Sequence, residues 1–223
     1  MAEKPTLGYW NISGLGDIFR TLLHHLGVDF EDKRYVIGCT VPGESWAECK
    51  PNLGMAFPNL PYFKDGDVYH AETQSVLRSI CRKYKPEYLG RTLKEQCDLD
   101  AYAGAIFGGF WGWFMPHMFA EDYKEKKEEG TRIVKEQLTA WTAIIGENRF
   151  FMGSELTYLD FYIHWRLKIY KLYDENILDE FPKLVEYLAT MQTQDGVEAA
   201  AKTQEGLMPF APRCAWMKDH TPE

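Results

Sequence analysis

Residues 57–70 read FPNLPYFKDGDVYH, and this stretch decides the fold of the first part of the chain. Tyr62-Phe63 and Val68-Tyr69 are short β-favouring runs on either side of the turn pair Asp65-Gly66. This pattern predicts a β-hairpin. Pro61 opens its first strand, where a residue without a backbone N–H is tolerated.

The segments before and after the hairpin complete a small mixed sheet. Thr6–Trp10 is predicted as a first strand, and Phe30–Ile37 holds a second. Between them, apolar residues at helical spacing from Ile18 to Leu26 predict a helix that stops near Gly27. A further helix is predicted over Gln74–Tyr84. The order β-α-β, irregular segment, β-β-α predicts an α/β sheet covered by helices.

The remainder of the chain has helical spacing. Thr131–Ile145 and Phe181–Met191 are predicted helices, and Thr157 with Asp160 resembles a capping box that opens a helix running towards Tyr173. The tail from Glu205 is expected to be extended rather than helical. The composition changes near residue 86, which predicts one domain over 1–85, a linker over 86–92 and an all-helical domain over 93–223.

Composition excludes several classes of protein. The chain has 223 residues, 45% of them hydrophobic, which is typical of one large or two modest globular domains. The formal net charge of −8 excludes a globally basic surface, so no nucleic acid is expected as a partner. The five cysteines show no CxxC or CxxH spacing and the histidines no metal-ligand spacing, so we expect no metal and a reducing, cytoplasmic location. The amino-terminal residues contain no apolar run that would suggest secretion.

Residues 101–120 read AYAGAIFGGFWGWFMPHMFA and carry no charge over twenty residues. That is long enough to cross a bilayer, and Gly104, Gly108 and Gly112 would allow close helix approach. Leu, Ile and Val are nearly absent, however, and acidic residues flank both ends. We therefore expect no membrane span, and we interpret the segment as a buried helix that lines an interface or a pocket.

Only two local features suggest chemistry, since nucleophile-elbow, phosphate-loop, zinc-protease and dinucleotide motifs are absent. The first is the run Phe57 to Tyr62, where the proline could leave the backbone of residue 60 available to pair with an extended ligand. A plain tight loop before a strand is the alternative. The second is Ser75 near the predicted helix start, which could cap the helix or share free N–H groups with a bound carboxylate.

Taken together and in this order, the motifs resemble the mu class of the cytosolic glutathione transferases. The matching pieces are Leu7-Gly8-Tyr9-Trp10, Gly14-Leu15, Ser45-Trp46, Leu53-Gly54, Phe57-Pro58-Asn59-Leu60-Pro61-Tyr62, Thr73-Gln74-Ser75 and Leu156-Thr157-Tyr158-Leu159-Asp160-Phe161. The resemblance is strong to about residue 85 and looser thereafter.

The resemblance implies a thioredoxin-like amino-terminal domain, an all-helical second domain and a homodimer. It implies glutathione as co-substrate, with no separate cofactor. Tyr9 matches the catalytic tyrosine, whose hydroxyl would donate a hydrogen bond to the glutathione sulfur and favour its thiolate. Phe57 matches an aromatic residue that inserts into the neighbouring subunit, the alternative being core packing within its own chain. The other positions that match glutathione contacts are Trp10, Leu15, Trp46, Lys50, Asn59, Leu60, Gln74 and Ser75.

Three positions depart from the family pattern. The arginine that precedes the Trp46 position is missing, an aspartate supplied by the neighbouring subunit aligns with Ile106, and the second-substrate tyrosine aligns at about Pro116. We therefore expect weaker glutathione binding than in a typical member. The aromatic residues that follow Ile106 fall at i, i+3, i+4 and i+7, so we expect them to form one face that is either a pocket for an apolar electrophile or a packed dimer seam. They are Phe107, Phe110, Trp111 and Phe114.

The sequence thus predicts a glutathione transferase that conjugates the thiolate to hydrophobic electrophiles. A glutathione-dependent isomerase, of the kind that makes prostaglandins in the related sigma class, uses the same thiolate and is one alternative. A transferase-like structural or interaction protein with reduced activity is another.

Overall fold

The computed structural model describes residues 3–211 and 214–218, and its first part is built on a four-stranded mixed sheet. The strands are β1 (Thr6–Trp10), β2 (Glu31–Tyr35), β3 (Tyr62–Asp65) and β4 (Val68–Ala71), in the spatial order β2-β1-β3-β4. β1 pairs with β2 in parallel and with β3 antiparallel, and β3 with β4 forms the predicted hairpin. The predicted α/β sheet is therefore confirmed.

Helices α1 (Gly16–His25) and α3 (Thr73–Tyr84) supply the apolar core of this part, with the short helix α2 (Trp46–Cys49) between β2 and β3. Leu7 on β1 faces Phe63 on β3 in the register of the sheet, and both are fully buried. The apolar residues of the predicting pattern that lie within α1 are also buried, whereas Leu26 lies just past the end of the helix and is partly exposed, so the amphipathic spacing within α1 is what packs it in the core. The buried apolar side chains of the two helices are Ile18, Phe19, Leu22, Leu23, Val76, Leu77 and Ile80.

The second part is helical, as predicted. The elements that follow α3 in the chain are α4 (Leu93–Gly109), a π-helical turn (Phe110–Phe114), α5 (Met115–Phe119), α6 (Lys127–Ile145), α7 (Tyr158–Tyr173), α8 (Pro182–Gln192), α9 (Val197–Lys202), which packs with the first part, and α10 (Ala215–Lys218). Helix α10 corrects the expectation of an extended tail over the part of 205–223 that the structure describes; residues 212–213 and 219–223 lie outside it.

The amino-terminal end of α7 is fixed by the predicted capping residues. Asp160 is fully buried, and its Oδ2 accepts hydrogen bonds from the backbone N–H and the hydroxyl of Thr157, both at 2.8 Å. Its Oδ1 accepts from the Phe151 N–H and the Tyr187 hydroxyl, also at 2.8 Å. This carboxylate satisfies the helix start and ties it to α8.

The charge-free segment packs around a buried cation. The Arg166 guanidinium carbon of α7 lies 4.4 Å from the Phe110 ring centroid, and its Nη1 donates to the Ile106 carbonyl at 3.0 Å. Its Nη2 donates to Gln137 Oε1 at 3.0 Å. Stacked rings and neutral acceptors thus stabilise a charge that would be costly to bury alone.

No helix among the described residues is both long enough and apolar enough to cross a membrane. Gly104, Gly108 and Gly112 lie on the exposed side of the segment, and added β-carbons there would meet nothing within 4 Å.

The chain divides into two compact units. The first reaches to Pro86 and also includes Gln194–Pro209, and the second holds Glu87–Thr193 and continues from Phe210. Helix α9 therefore belongs to the sheet-containing unit, where Val197 and Ala200 are buried.

Candidate active site

Tyr9 lies near the carboxyl end of β1, and its side chain is buried. Its hydroxyl oxygen accepts a hydrogen bond from the backbone N–H of Leu15 at 3.1 Å. Gly14, the residue before Leu15, has a φ of +41°, a backbone conformation that glycine adopts easily. A β-carbon at Gly14 would lie 3.0 Å from the Tyr9 hydroxyl oxygen. Since the amide occupies one lone pair of the oxygen, the phenolic O–H can donate to a further acceptor.

The electrostatic surroundings keep this phenol protonated. Burial raises the pKa of Tyr9 to about 12, although the Leu15 N–H and the positive charge of Arg20 act in the lowering direction. At neutral pH the group is therefore a neutral hydrogen-bond donor whose acidity is increased by two nearby groups.

The loop before β3 brings Asn59 to the start of α3. Asn59 Nδ2 donates to Glu72 Oε1 at 2.9 Å, and Asn59 Oδ1 accepts from the backbone N–H of Leu60 at 2.9 Å. The Leu60–Pro61 peptide bond is cis. The Leu60 N–H is thus already bonded within the chain, and its pairing with an extended ligand stays a prediction.

Helix α3 begins one residue earlier than predicted. Thr73 is its first residue, and Glu72 precedes it with a φ of +72°, a conformation rare for a side-chain-bearing residue. The Val76 N–H bonds to the Glu72 carbonyl, so the amides of Thr73, Gln74 and Ser75 form the first turn, where helix N–H groups lack internal acceptors. Ser75 is not the N-cap, which corrects the capping interpretation.

Glu72 and Thr73 were not among the predicted site residues. The positive φ of Glu72 has no signature in its residue type, because glycine or asparagine would have been expected there. The sequence signal for Glu72 was an acidic residue two positions before the predicted helix start. Gln74, which was predicted, accepts a hydrogen bond from Arg78 at 2.9 Å.

Two of the predicted tryptophans meet in an aromatic cluster. Trp46 is the first residue of α2, which Ser45 caps by accepting from the Glu48 N–H at 3.3 Å. Its ring lies edge-on to Trp10, with centroids 6.1 Å apart, and to Tyr35 at 5.2 Å. Both tryptophans are partly exposed, and Lys50 is exposed at the start of the 3-10 turn Lys50–Asn52.

The four predicted aromatic residues of the second unit do not share one face. Phe107, Phe110 and Phe114 are buried, and they contact α7 through stacking on Tyr162 and edge contacts with Trp165 and Tyr170. The side chain of Trp111 is 44% exposed. The single-face expectation is wrong because residues 110–114 form a π turn, which is wider than the α-helical turn that the spacing assumed.

The remaining sequence predictions concern Phe57, Leu15 and metal binding. The Phe57 side chain is 84% exposed, so core packing within its own chain is wrong. Leu15 is buried, and its backbone serves Tyr9. Within residues 3–211 and 214–218, no group of three or more His, Cys, Asp or Glu residues could hold a metal ion.

Comparison with known proteins agrees with this fold. A family model described as "Glutathione S-transferase, C-terminal domain" matches residues 111–204. A glutathione S-transferase of Tyrophagus putrescentiae is 30% identical over 97% of this chain and 98% of its own. The chain therefore belongs to the glutathione S-transferase family.

Relatives of the mu class confirm the predicted resemblance. Glutathione S-transferase Mu 3 of Mus musculus is 31% identical, with 96% of this chain and 95% of that protein covered. Among solved structures, a Pi-class glutathione S-transferase of Onchocerca volvulus superposes with a TM-score of 0.81 at 19% identity, covering 95% of this chain and all of that one. The thioredoxin-like unit and the helical unit are thus the fold of this family.

Proposed function

We propose that the protein is a glutathione transferase that activates the glutathione thiol through Tyr9 and joins the sulfur to an electrophilic carbon. The observation that carries the proposal is the buried Tyr9 phenol, which is protonated and has its oxygen fixed by the Leu15 N–H. This arrangement keeps the phenol neutral and leaves its O–H available as a hydrogen-bond donor. A thiolate is the acceptor that such a donor stabilises most in this family's chemistry.

The energy required is modest. A free thiol has a pKa near about 8.5, so only a few per cent is ionised at neutral pH. Lowering that pKa by roughly 2 units needs about 2.7 kcal/mol of preference for the thiolate, which a charge-assisted hydrogen bond and nearby dipoles can supply. The thiol proton passes to solvent, the sulfur lone pair forms the C–S bond, and the leaving group departs with its bonding electrons or the adduct takes up a proton.

The remaining residues of the first unit would hold the tripeptide. The first-turn amides of α3, including those of Gln74 and Ser75, suit the γ-glutamyl carboxylate, and the exposed Glu72 carboxylate suits the neighbouring ammonium group. The exposed Lys50 would pair with the glycine carboxylate, beside the Trp10 and Trp46 rings. The Leu60 N–H would exchange its bond to Asn59 for the cysteinyl carbonyl, which replaces one acceptor by another.

The second substrate that we propose is an apolar electrophile. Among the four predicted aromatic residues, Trp111 has exposed ring surface, whereas the other three are core residues of the second unit. We further propose a homodimer that uses the exposed Phe57 and a reducing cytoplasmic location, which suits five cysteines that are all free thiols.

Conjugation is favoured over the alternatives because the relatives that match most of the chain are named glutathione S-transferases. An isomerase would regenerate glutathione, so consumption of glutathione separates the two activities. A structural protein would have no need of the Tyr9 arrangement.

The test is the rate of glutathione conjugation to a generic aromatic electrophile, for the wild type beside Tyr9→Phe. We expect kcat/KM to fall by about tenfold or more, equivalent to about 1.4 kcal/mol of lost transition-state stabilisation. Tyr102→Phe is the matched control, because that ring contacts Phe151 in the second unit, and its rate should be unchanged. A folded wild type without any rate would reject the proposal in favour of the structural alternative.

A further inference from the structure

Gln204 follows α9 and lies in the carboxyl-terminal segment of the first unit, far in sequence from the residues of β1 and α1. Its side chain is buried against the loop that connects those two elements. It belongs to none of the motifs from which the site was predicted.

The Gln204 amide uses all of its hydrogen-bonding capacity. Its Oε1 accepts from Ser13 Oγ and from Arg20 Nη1, each at 3.3 Å. Its Nε2 donates to Asp17 Oδ1 at 2.8 Å and to the Ala200 carbonyl at 3.2 Å. An amide with two filled acceptor and two filled donor positions holds its neighbours in fixed relative positions.

Backbone carbonyls that follow Gln204 in the chain accept hydrogen bonds from the same loop. The Ser13 N–H donates to the Met208 carbonyl at 2.8 Å, and the Gly14 N–H donates to the Pro209 carbonyl at 3.0 Å. Arg20 Nη1 donates to the Ile12 carbonyl at 2.9 Å. Leu15 directly follows Ser13 and Gly14, and its N–H donates to the Tyr9 oxygen.

We propose that Gln204 is a positioning residue for thiolate formation: it fixes the Ser13–Asp17 turn so that the Leu15 N–H stays on the Tyr9 hydroxyl. This inference rests on the proposed transferase function. A hydrogen bond weakens steeply with misalignment, so a loosened turn would withdraw the amide from the phenol oxygen. The phenol would then become a weaker donor, and the thiolate that it stabilises would become less favourable.

The experiment titrates bound glutathione by its thiolate ultraviolet absorbance in the wild type and in Gln204→Met. Methionine keeps the length of the side chain and removes all four hydrogen bonds. We expect the thiol pKa of bound glutathione to rise by about 0.5 to 1 unit, kcat below that pKa to fall about three- to tenfold, and KM for glutathione to change by less than about twofold. Gln192→Met, at an exposed position of α8, is the control and should leave all three unchanged.

The readout separates positioning from a merely structural role. The charged groups around the loop, Asp17 and Arg20 on α1 and Asp32 on β2, are not substituted in either variant, and a loss of folded enzyme lowers the amplitude of the titration but not its midpoint. A midpoint in Gln204→Met equal to that of the wild type overturns the inference. A wild-type midpoint equal to that of free glutathione instead rejects the proposed function itself.

Ser13→Ala is the second variant, since it removes one of the four bonds and perturbs the fold less. It should raise the midpoint in the same direction by a smaller amount. If Gln204→Met does not fold, an unshifted midpoint in Ser13→Ala decides against the inference.

Discussion

Tyr9 illustrates how burial decides the form in which a single residue acts. The proposed mechanism needs a protonated phenol, and the folded chain provides it by desolvation, which raises the pKa of Tyr9 from its ordinary value of 10.0 to about 12. The Leu15 N–H and Arg20 oppose that rise. The group therefore combines two properties, a stable proton and an oxygen already polarised by a donor.

This predicts the alkaline titration of the unliganded protein. Because the folded pKa lies above the ordinary value, protonated Tyr9 contributes fully to the free energy of unfolding below pH 10, and the contribution is lost as the pH rises towards 12. A tyrosinate absorbance titration should therefore show no difference between the wild type and Tyr9→Phe up to about pH 10. One tyrosinate equivalent that appears below pH 9 in the wild type alone would contradict this.

The residue scale also shows what a sequence can and cannot predict about a site. Tyr9, Trp46 and Asn59 could be predicted as site residues because the motifs around them occur in a fixed order along the chain. Glu72 and Gln204 were missed for physical reasons. The strain at Glu72 is imposed by the surrounding structure, and Gln204 acquires its role only by long-range packing against Ser13 and Asp17.

Among the elements, α9 packs against α1 through a close approach at one small residue. Gly196, just before α9, has a φ of +73°, and a β-carbon there would lie 2.4 Å from the carbonyl carbon and oxygen of His24 at the end of α1. Only glycine satisfies both the backbone conformation and the close approach.

Gly196→Ala should therefore lower the free energy of unfolding by about 3 kcal/mol, since the backbone of α1 must move to accept the methyl group. Gly206→Ala is a matched control in the same segment, because Gly206 has a φ of +76° but nothing within 4 Å of an added β-carbon. It should cost only about 1 kcal/mol, the conformational penalty alone. Chemical denaturation of both variants tests the difference, and equal losses would show that the contact with His24 has no energetic weight.

Element prediction succeeded where local pattern and tertiary packing agree. β1 and the β3–β4 hairpin follow short β-favouring runs and an Asp-Gly turn, and α7 follows its capping residues. The segment around Phe110–Phe114 could not be predicted, because an α-helical spacing places four aromatic side chains on one face while the actual π turn depends on packing around Arg166.

For the whole molecule, the exposed Phe57 is the feature that most directly suggests assembly. An aromatic side chain with 84% of its surface exposed is costly in a monomer, and aromatic residues of this kind are frequent anchors of interfaces.

Phe57→Ala should weaken self-association by about 2 kcal/mol, roughly thirtyfold in the dissociation constant. The free energy of unfolding of the isolated protomer should change little, because the side chain makes no core contact. Sedimentation over a dilution series measures the constant. Val185→Ala is the comparison, because Val185 on α8 is also an exposed apolar residue. Identical constants for the two variants and the wild type would exclude Phe57 as an anchor.

The membership of Gln194–Pro209 in the first unit also has a consequence for biosynthesis. A ribosome that has translated the sheet and its helices must add more than a hundred further residues before Gln204 can reach Ser13. At about 5 to 20 residues per second, this delay is on the order of ten seconds. The turn that supports Tyr9 is therefore completed only after the intervening helices have been translated.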